Sequence, residues 1–129
     1  MTLQVELVSP EQILYSGEAD MVVCRTTDGE IAFLTGHAPF VGTLGIGVVK
    51  INEPAGAVER AAVHGGFVEV SHDKVTILSD VAELAGHIDP ARARRAAEQA
   101  ETRLRESHDA ECEAALRRAH VRIELADGR

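Results

Sequence analysis

Apolar and polar residues alternate from the outset: Leu3, Val5 and Leu7 fall on one side of an extended chain, Thr2, Gln4 and Glu6 on the other. A period of two marks a half-buried strand, and Pro10 closes this one. Further strand-like runs cover 12–15, 21–26, 30–34, 45–51, 57–63, 66–70 and 74–78. Turn chemistry separates them at Ser16-Gly17, Asp28-Gly29, Asn52-Glu53-Pro54, Gly65-Gly66 and His72-Asp73. Short strands so punctuated predict an antiparallel β-sandwich or barrel rather than alternating β and α units.

Beyond position 86 the pattern changes. Asp89 is a favoured N-cap and Pro90 suits the first helical position, so a helix is predicted over 90–106. Ser107-His108-Asp109 supplies a turn and a second cap, and a second helix follows over 110–125. So short a connection makes the two helices antiparallel. The expected architecture is therefore an all-β N-terminal sandwich or barrel, residues 1–86, followed by an α-helical hairpin, residues 87–129. The hairpin's apolar faces are Ala93, Ala96, Ala97, Ala100 and Leu104 on one helix and Ala115, Leu116, Ala119 and Ile123 on the other. Alanines permit close approach but remove little apolar area from water. Weak attachment to the sandwich is expected, and weakly attached elements open most readily.

Charge sharpens the division. The formal total is −8, and residues 1–85 carry four cations (Arg25, Lys50, Arg60, Lys74) against twelve carboxylates. Residues 86–129 balance nine arginines with nine acidic residues. An acidic front half with aromatics at 3% of the chain repels phosphate backbones and lacks stacking platforms, which argues against nucleic acid as a partner. Cys24 and Cys112 are the chain's cysteines and lie in segments of different character, so a structural disulfide is not expected. The first residues show no signal-peptide pattern, and no window approaches a membrane span. Cytosolic residence is the expectation, with docking on a membrane complex left open.

No nucleophile elbow or P-loop is present, and the six histidines (37, 64, 72, 87, 108, 120) are scattered rather than set at zinc spacing. Catalysis has no support. Two segments stand out. Residues 29–40 lead from a strand into a rigid turn at His37-Ala38-Pro39, followed by a loop bent by Gly42 and Gly45; the plain alternative is a sandwich corner. At the junction, Ile88-Asp89-Pro90-Ala91-Arg92-Ala93 opens the first helix, and a hairpin brings Arg92 near Arg122. Arg118 and Arg122 are i,i+4 neighbours. Three guanidiniums converging at a helix N-terminus would suit an anion. The alternative is that Asp89 only caps, while the arginines pair with Glu98, Glu101 and Glu124.

Gly29-Glu30-Ile31 through Gly36-His37-Ala38-Pro39, then Gly65-Gly66-Phe67-Val68-Glu69-Val70, Val75-Thr76-Ile77-Leu78 and Ile88-Asp89-x-x-Arg92-Ala93 resemble, in order and spacing, the epsilon subunit of bacterial F-type ATP synthases. The resemblance covers essentially the whole chain. It implies a non-catalytic rotor subunit that couples c-ring rotation to ATP synthesis, with the sandwich bound to the gamma subunit and the c-ring. Glu30, His37, Ala38, Pro39, Phe40 and Gly42 correspond to the rotor-facing stretch. The resemblance also makes the hairpin a regulatory arm that reaches the catalytic alpha/beta hexamer when extended. It implies a peripheral location on the cytoplasmic face of the plasma membrane. No cofactor is required, but some members bind a regulatory ATP, and the matching positions are Glu83, Ile88, Asp89, Arg92, Ala93, Arg118 and Arg122. A further basic position of that set is Gln99 here. The alternative function is a free-standing nucleotide-sensing or adaptor module.

Overall fold

The computed structural model describes residues 2–106 and 109–127. Ten strands precede two helices: β1 (Leu3–Val8), β2 (Ile13–Ala19), β3 (Met21–Thr26), β4 (Gly29–Leu34), β5 (Phe40–Thr43), β6 (Ile46–Asn52), β7 (Val58–His64), β8 (Phe67–Ser71), β9 (Lys74–Leu78), β10 (Ala82–Leu84), α1 (Pro90–Glu106) and α2 (Ala110–Asp127). A single 3-10 turn, Ala85–His87, joins β10 to the start of α1. The strands form two five-stranded sheets, ordered β2-β1-β9-β8-β5 and β10-β7-β6-β3-β4.

Alternation places the core between the sheets. Leu3, Val5 and Leu7 of β1 are buried, as are Val68 and Val70 of β8, Val75 and Ile77 of β9, and Val22 and Cys24 of β3. Phe33 fills the centre, the largest fully buried side chain among the described residues. A layer built almost entirely of Val, Leu, Ile and Ala follows from a chain so poor in rings.

Four features depart from the sequence reading. Ser16-Gly17, expected to be a turn, lies inside β2, opposite Glu6 and Val5 of β1. β1 and β9 pair in parallel, register Val5↔Val75, although every other strand pair is antiparallel. The segment expected to be a glycine-bent loop after Pro39 instead forms β5, which pairs with β8 from Phe40↔Val70 to Thr43↔Phe67. Gly42 belongs in that strand because the Phe40 ring lies across it: a Cβ there would meet the ring at 2.6 Å. β10, unforeseen, adds an edge to the second sheet through Glu83↔Ala62.

The helices form as expected. Asp89 Oδ1 accepts hydrogen bonds from the N–H groups of Ala91 (3.0 Å) and Arg92 (3.2 Å), capping α1. Asp109 Oδ1 does the same for Cys112 at 2.8 Å; Ser107 and His108, the rest of the expected turn, lie outside the described residues. Ala93, Ala97 and Ala100 of α1 and Ala119 of α2 are buried, while Ala96, Leu104, Ala115, Leu116 and Ile123 are half-buried. The hairpin touches the sandwich through a separate small cluster of Ala62, Ala85, Ile88, Leu125 and Ala126, flanked by Val48 and Val121. This cluster is apart from the intersheet core, so the described residues of the hairpin do not join one large apolar interior with the sandwich.

Candidate functional site: the seam between sandwich and hairpin

The capped start of α1, the 3-10 turn and β10 meet the second half of α2 at one corner. There a cavity of about 310 Å³ is lined by Glu83, His87, Ile88, Asp89, Arg92, Ala93, Ala96 and Arg122. Its lining comes from both domains. Small residues at 93 and 96 leave the space open, and the N-terminal turn of α1 contributes the positive end of its dipole.

Arg122 Nε donates to Glu83 Oε1 at 2.5 Å, tying α2 to the edge strand. Contact through Nε leaves the terminal amino groups of Arg122 for an anion. The Arg92 side chain has no ion pair among the described residues. The structure thus brings together Glu83, Ile88, Asp89, Arg92, Ala93 and Arg122 of the anticipated set. It does not bring in Arg118, whose Nη2 donates to Glu111 Oε1 at 2.7 Å. The alternative pairing with Glu98, Glu101 and Glu124 does not form among the described residues; Arg122 and Arg118 pair with Glu83 and Glu111 instead.

Two histidines near this corner were not singled out from the sequence. His87 lines the cavity, placed there by the 3-10 turn, and its only sequence signal is its position beside Ile88-Asp89. His64, the last residue of β7, has both ring nitrogens buried without a hydrogen-bond partner. Burial, then the nearby guanidinium of Arg122, push its pKa down to about 4, with Glu83 opposing and Arg118 adding to the fall. A neutral imidazole faces the seam.

The second anticipated site is divided. His37 packs edge-on to Phe33 with ring centroids 5.0 Å apart, and Phe33 meets Phe40 at 5.6 Å. His37 Nδ1 donates to the Ala38 carbonyl at 2.6 Å, and the Gly36 N–H donates to Asp73 Oδ1 at 2.7 Å. The turn carrying Ala38 and Pro39 is thereby pinned to the sandwich, with Phe40 and Gly42 just beyond it. Glu30 stands apart, at the opposite end of β4 beneath α2. Exposed apolar side chains flank the turn: Leu34 is 55% and Val41 72% exposed.

Family models match both parts of this architecture: "ATP synthase, Delta/Epsilon chain, beta-sandwich domain" over residues 2–85 and "ATP synthase, Delta/Epsilon chain, long alpha-helix domain" over residues 87–127. Sandwich plus hairpin is therefore the delta/epsilon class of ATP synthase subunit. Relatives narrow the class further. The ATP synthase epsilon chain of Streptomyces griseus subsp. griseus is 46% identical over 94% of this chain and 92% of its own length. That of Streptomyces coelicolor is 45% identical over 98% and 97%, and that of Halalkalibacterium halodurans 42% identical over 97% of each. The chain belongs to the family of ATP synthase epsilon chains. A chain in the Euglena gracilis mitochondrial ATP synthase, solved as OSCP, F1 and c-ring, shares the fold with a TM-score of 0.74 at 23% identity, covering 98% of this chain and 78% of that one.

Proposed function

We propose that the chain acts without catalysis of its own, as the foot of a rotary ATP synthase's central stalk. Its sandwich grips the neighbouring stalk subunit and the c-ring, and its hairpin serves as a regulatory arm held down by ATP. The observation carrying the regulatory reading is the junction cavity, whose lining is shared between Glu83 of the sandwich edge and Arg92 and Arg122 of the hairpin. A ligand that needs both walls binds only the folded arm, and so favours it in proportion to that differential affinity. The separateness of the small apolar cluster under α2 keeps the opposing cost modest.

Calorimetry on the intact chain tests the ATP reading. Saturable binding is expected, weakened about tenfold by Arg92→Ala, as for loss of one charge-assisted contact. Binding indifferent to both Arg92→Ala and Arg122→Ala removes the pocket. The stalk reading predicts co-purification with the gamma subunit and c-ring, lost on Val41→Glu, which adds a charge to the exposed apolar flank of the His37–Gly42 turn. Retention of both partners by that variant would place the contact elsewhere. The cytoplasmic, peripheral location goes with this assembly; among the described residues no helix is long and apolar enough to cross a membrane.

A further inference from the structure

The sandwich has four basic residues in all, and their placement is not even. Lys74 pairs with Glu6 at 2.8 Å. The other three, Arg25, Lys50 and Arg60, all lie along the face of the β10-β7-β6-β3-β4 sheet that α2 covers. There a cleft of about 420 Å³ runs between the sheet and α2, lined from below by Arg25, Glu30 and Lys50 and from above by Arg117, His120 and Glu124. Arg60 joins it through an adjoining cleft that shares Lys50 and Glu124.

Arg25, Lys50 and Arg117 are exposed and Arg60 half-buried, yet they crowd together as like charges. Lys50 and Arg60 are directly opposite each other in the β6–β7 register, and like charges so placed destabilise a sheet. Arg25, Lys50, Arg60 and Arg117 form no ion pair or side-chain hydrogen bond among the described residues, although Glu30 is the direct cross-strand neighbour of Arg25. Gly47 lets the Arg25 stem lie flat along the cleft, for a Cβ at that position would meet Arg25 Cβ at 3.1 Å and Cδ at 3.0 Å. Four cations against two carboxylates, in a molecule of formal charge −8, leave a locally positive seam. Among its lining residues only the His120 imidazole offers a flat face.

We propose that this seam is a second anion site, distinct from the junction cavity, which takes a small phosphate-bearing anion between Arg25, Lys50, Arg60 and Arg117 and thereby holds α2 against the sheet. The guanidiniums supply forked donors and the lysine a point charge. The near absence of a stacking surface directs the site to the polyphosphate itself rather than to a base. Because Arg117 comes from the hairpin and Lys50 from the sandwich, occupancy requires the folded arm, whether or not the junction cavity binds ATP.

Backbone amide NMR on the intact chain, titrated with inorganic tripolyphosphate at constant ionic strength, tests this. Saturable shifts are expected at Gly47, Val48 and Val121, with affinity reduced about tenfold by Lys50→Ala or Arg117→Ala and unchanged by Arg92→Ala. Both side chains are exposed, so the substitutions leave the fold intact, which the dispersion of the same spectra verifies. ATP in place of tripolyphosphate should shift the same amides with similar affinity. No saturable shift at these amides, shifts with ATP alone, or binding indifferent to both substitutions would each overturn the proposal.

Discussion

Arg122 of α2 and Glu83 of β10 are joined at 2.5 Å across the boundary between hairpin and sandwich. Their side chains are 25% and 33% exposed, which makes this a half-sheltered pair rather than a solvated one. It ties α2 to the sandwich, whereas the Arg118–Glu111 ion pair lies within the helix.

Loss of that pair should loosen the arm. Glu83→Gln is expected to weaken docking by about 1 kcal/mol, in the range for a partly exposed ion pair, or about fivefold in the ratio of docked to open forms. Distance labels on the sandwich and on Glu113 would read the ratio directly. An unchanged distance distribution in Glu83→Gln would mean that the apolar cluster alone holds the helix.

Acid should act on the same seam through His64. Facing it are Glu83 from β10 and Arg118 and Arg122 from α2, and its pKa is lowered from 6.5 to about 4. The folded chain resists the proton while the unfolded chain accepts it near the ordinary value. Stability from this residue is therefore complete above about pH 6.5 and is lost as the pH falls toward 4, by at most about 1.4 kcal/mol per pH unit for one proton. Denaturant unfolding at several pH values should show a shallower acid slope in His64→Leu than in the parent. Equal slopes would remove His64 from the acid response.

What the sequence disclosed and what it hid divide along physical lines. Alternation exposed β1, β3 and β9, and cap chemistry at Asp89 and Asp109 located both helix starts. The short turn implied antiparallel helices, and that alone brought Arg92 to Arg122. The parallel pairing of β1 with β9 is a non-local choice of neighbour, on which a local pattern is silent. β10 is too short to alternate, and β5 was masked by Gly42, whose role is to lie under the Phe40 ring rather than to bend a loop. Arg118 does share a helix face with Arg122, but its long side chain reaches back to Glu111 instead. The character of His64 comes from burial, which no motif announces.

Gly66 carries the sharpest prediction about the sandwich. Its φ is +113°, a backbone conformation that side-chain-bearing residues rarely adopt. A Cβ there would also stand 2.0 Å from the Leu78 carbonyl oxygen and 2.9 Å from Ser79 Cα, both backbone atoms that cannot rotate aside. The crowding has a structural origin: β8 begins at Phe67, opposite Leu78 of β9, and the buried Ser79 hydroxyl bonds the Gly65 carbonyl at 2.7 Å. The Gly65–Gly66 turn is thus pressed against the chain leaving β9. Neighbouring Gly65 has φ +89° but open space where a Cβ would go, which separates the two effects. Gly65→Ala should cost about 1 kcal/mol for conformation alone. Gly66→Ala should cost several times as much, since the backbone of β9 must move. Thermal or denaturant unfolding of the two variants measures the difference, and equal losses would show that the turn can shift away from Leu78 without disturbing the sheet.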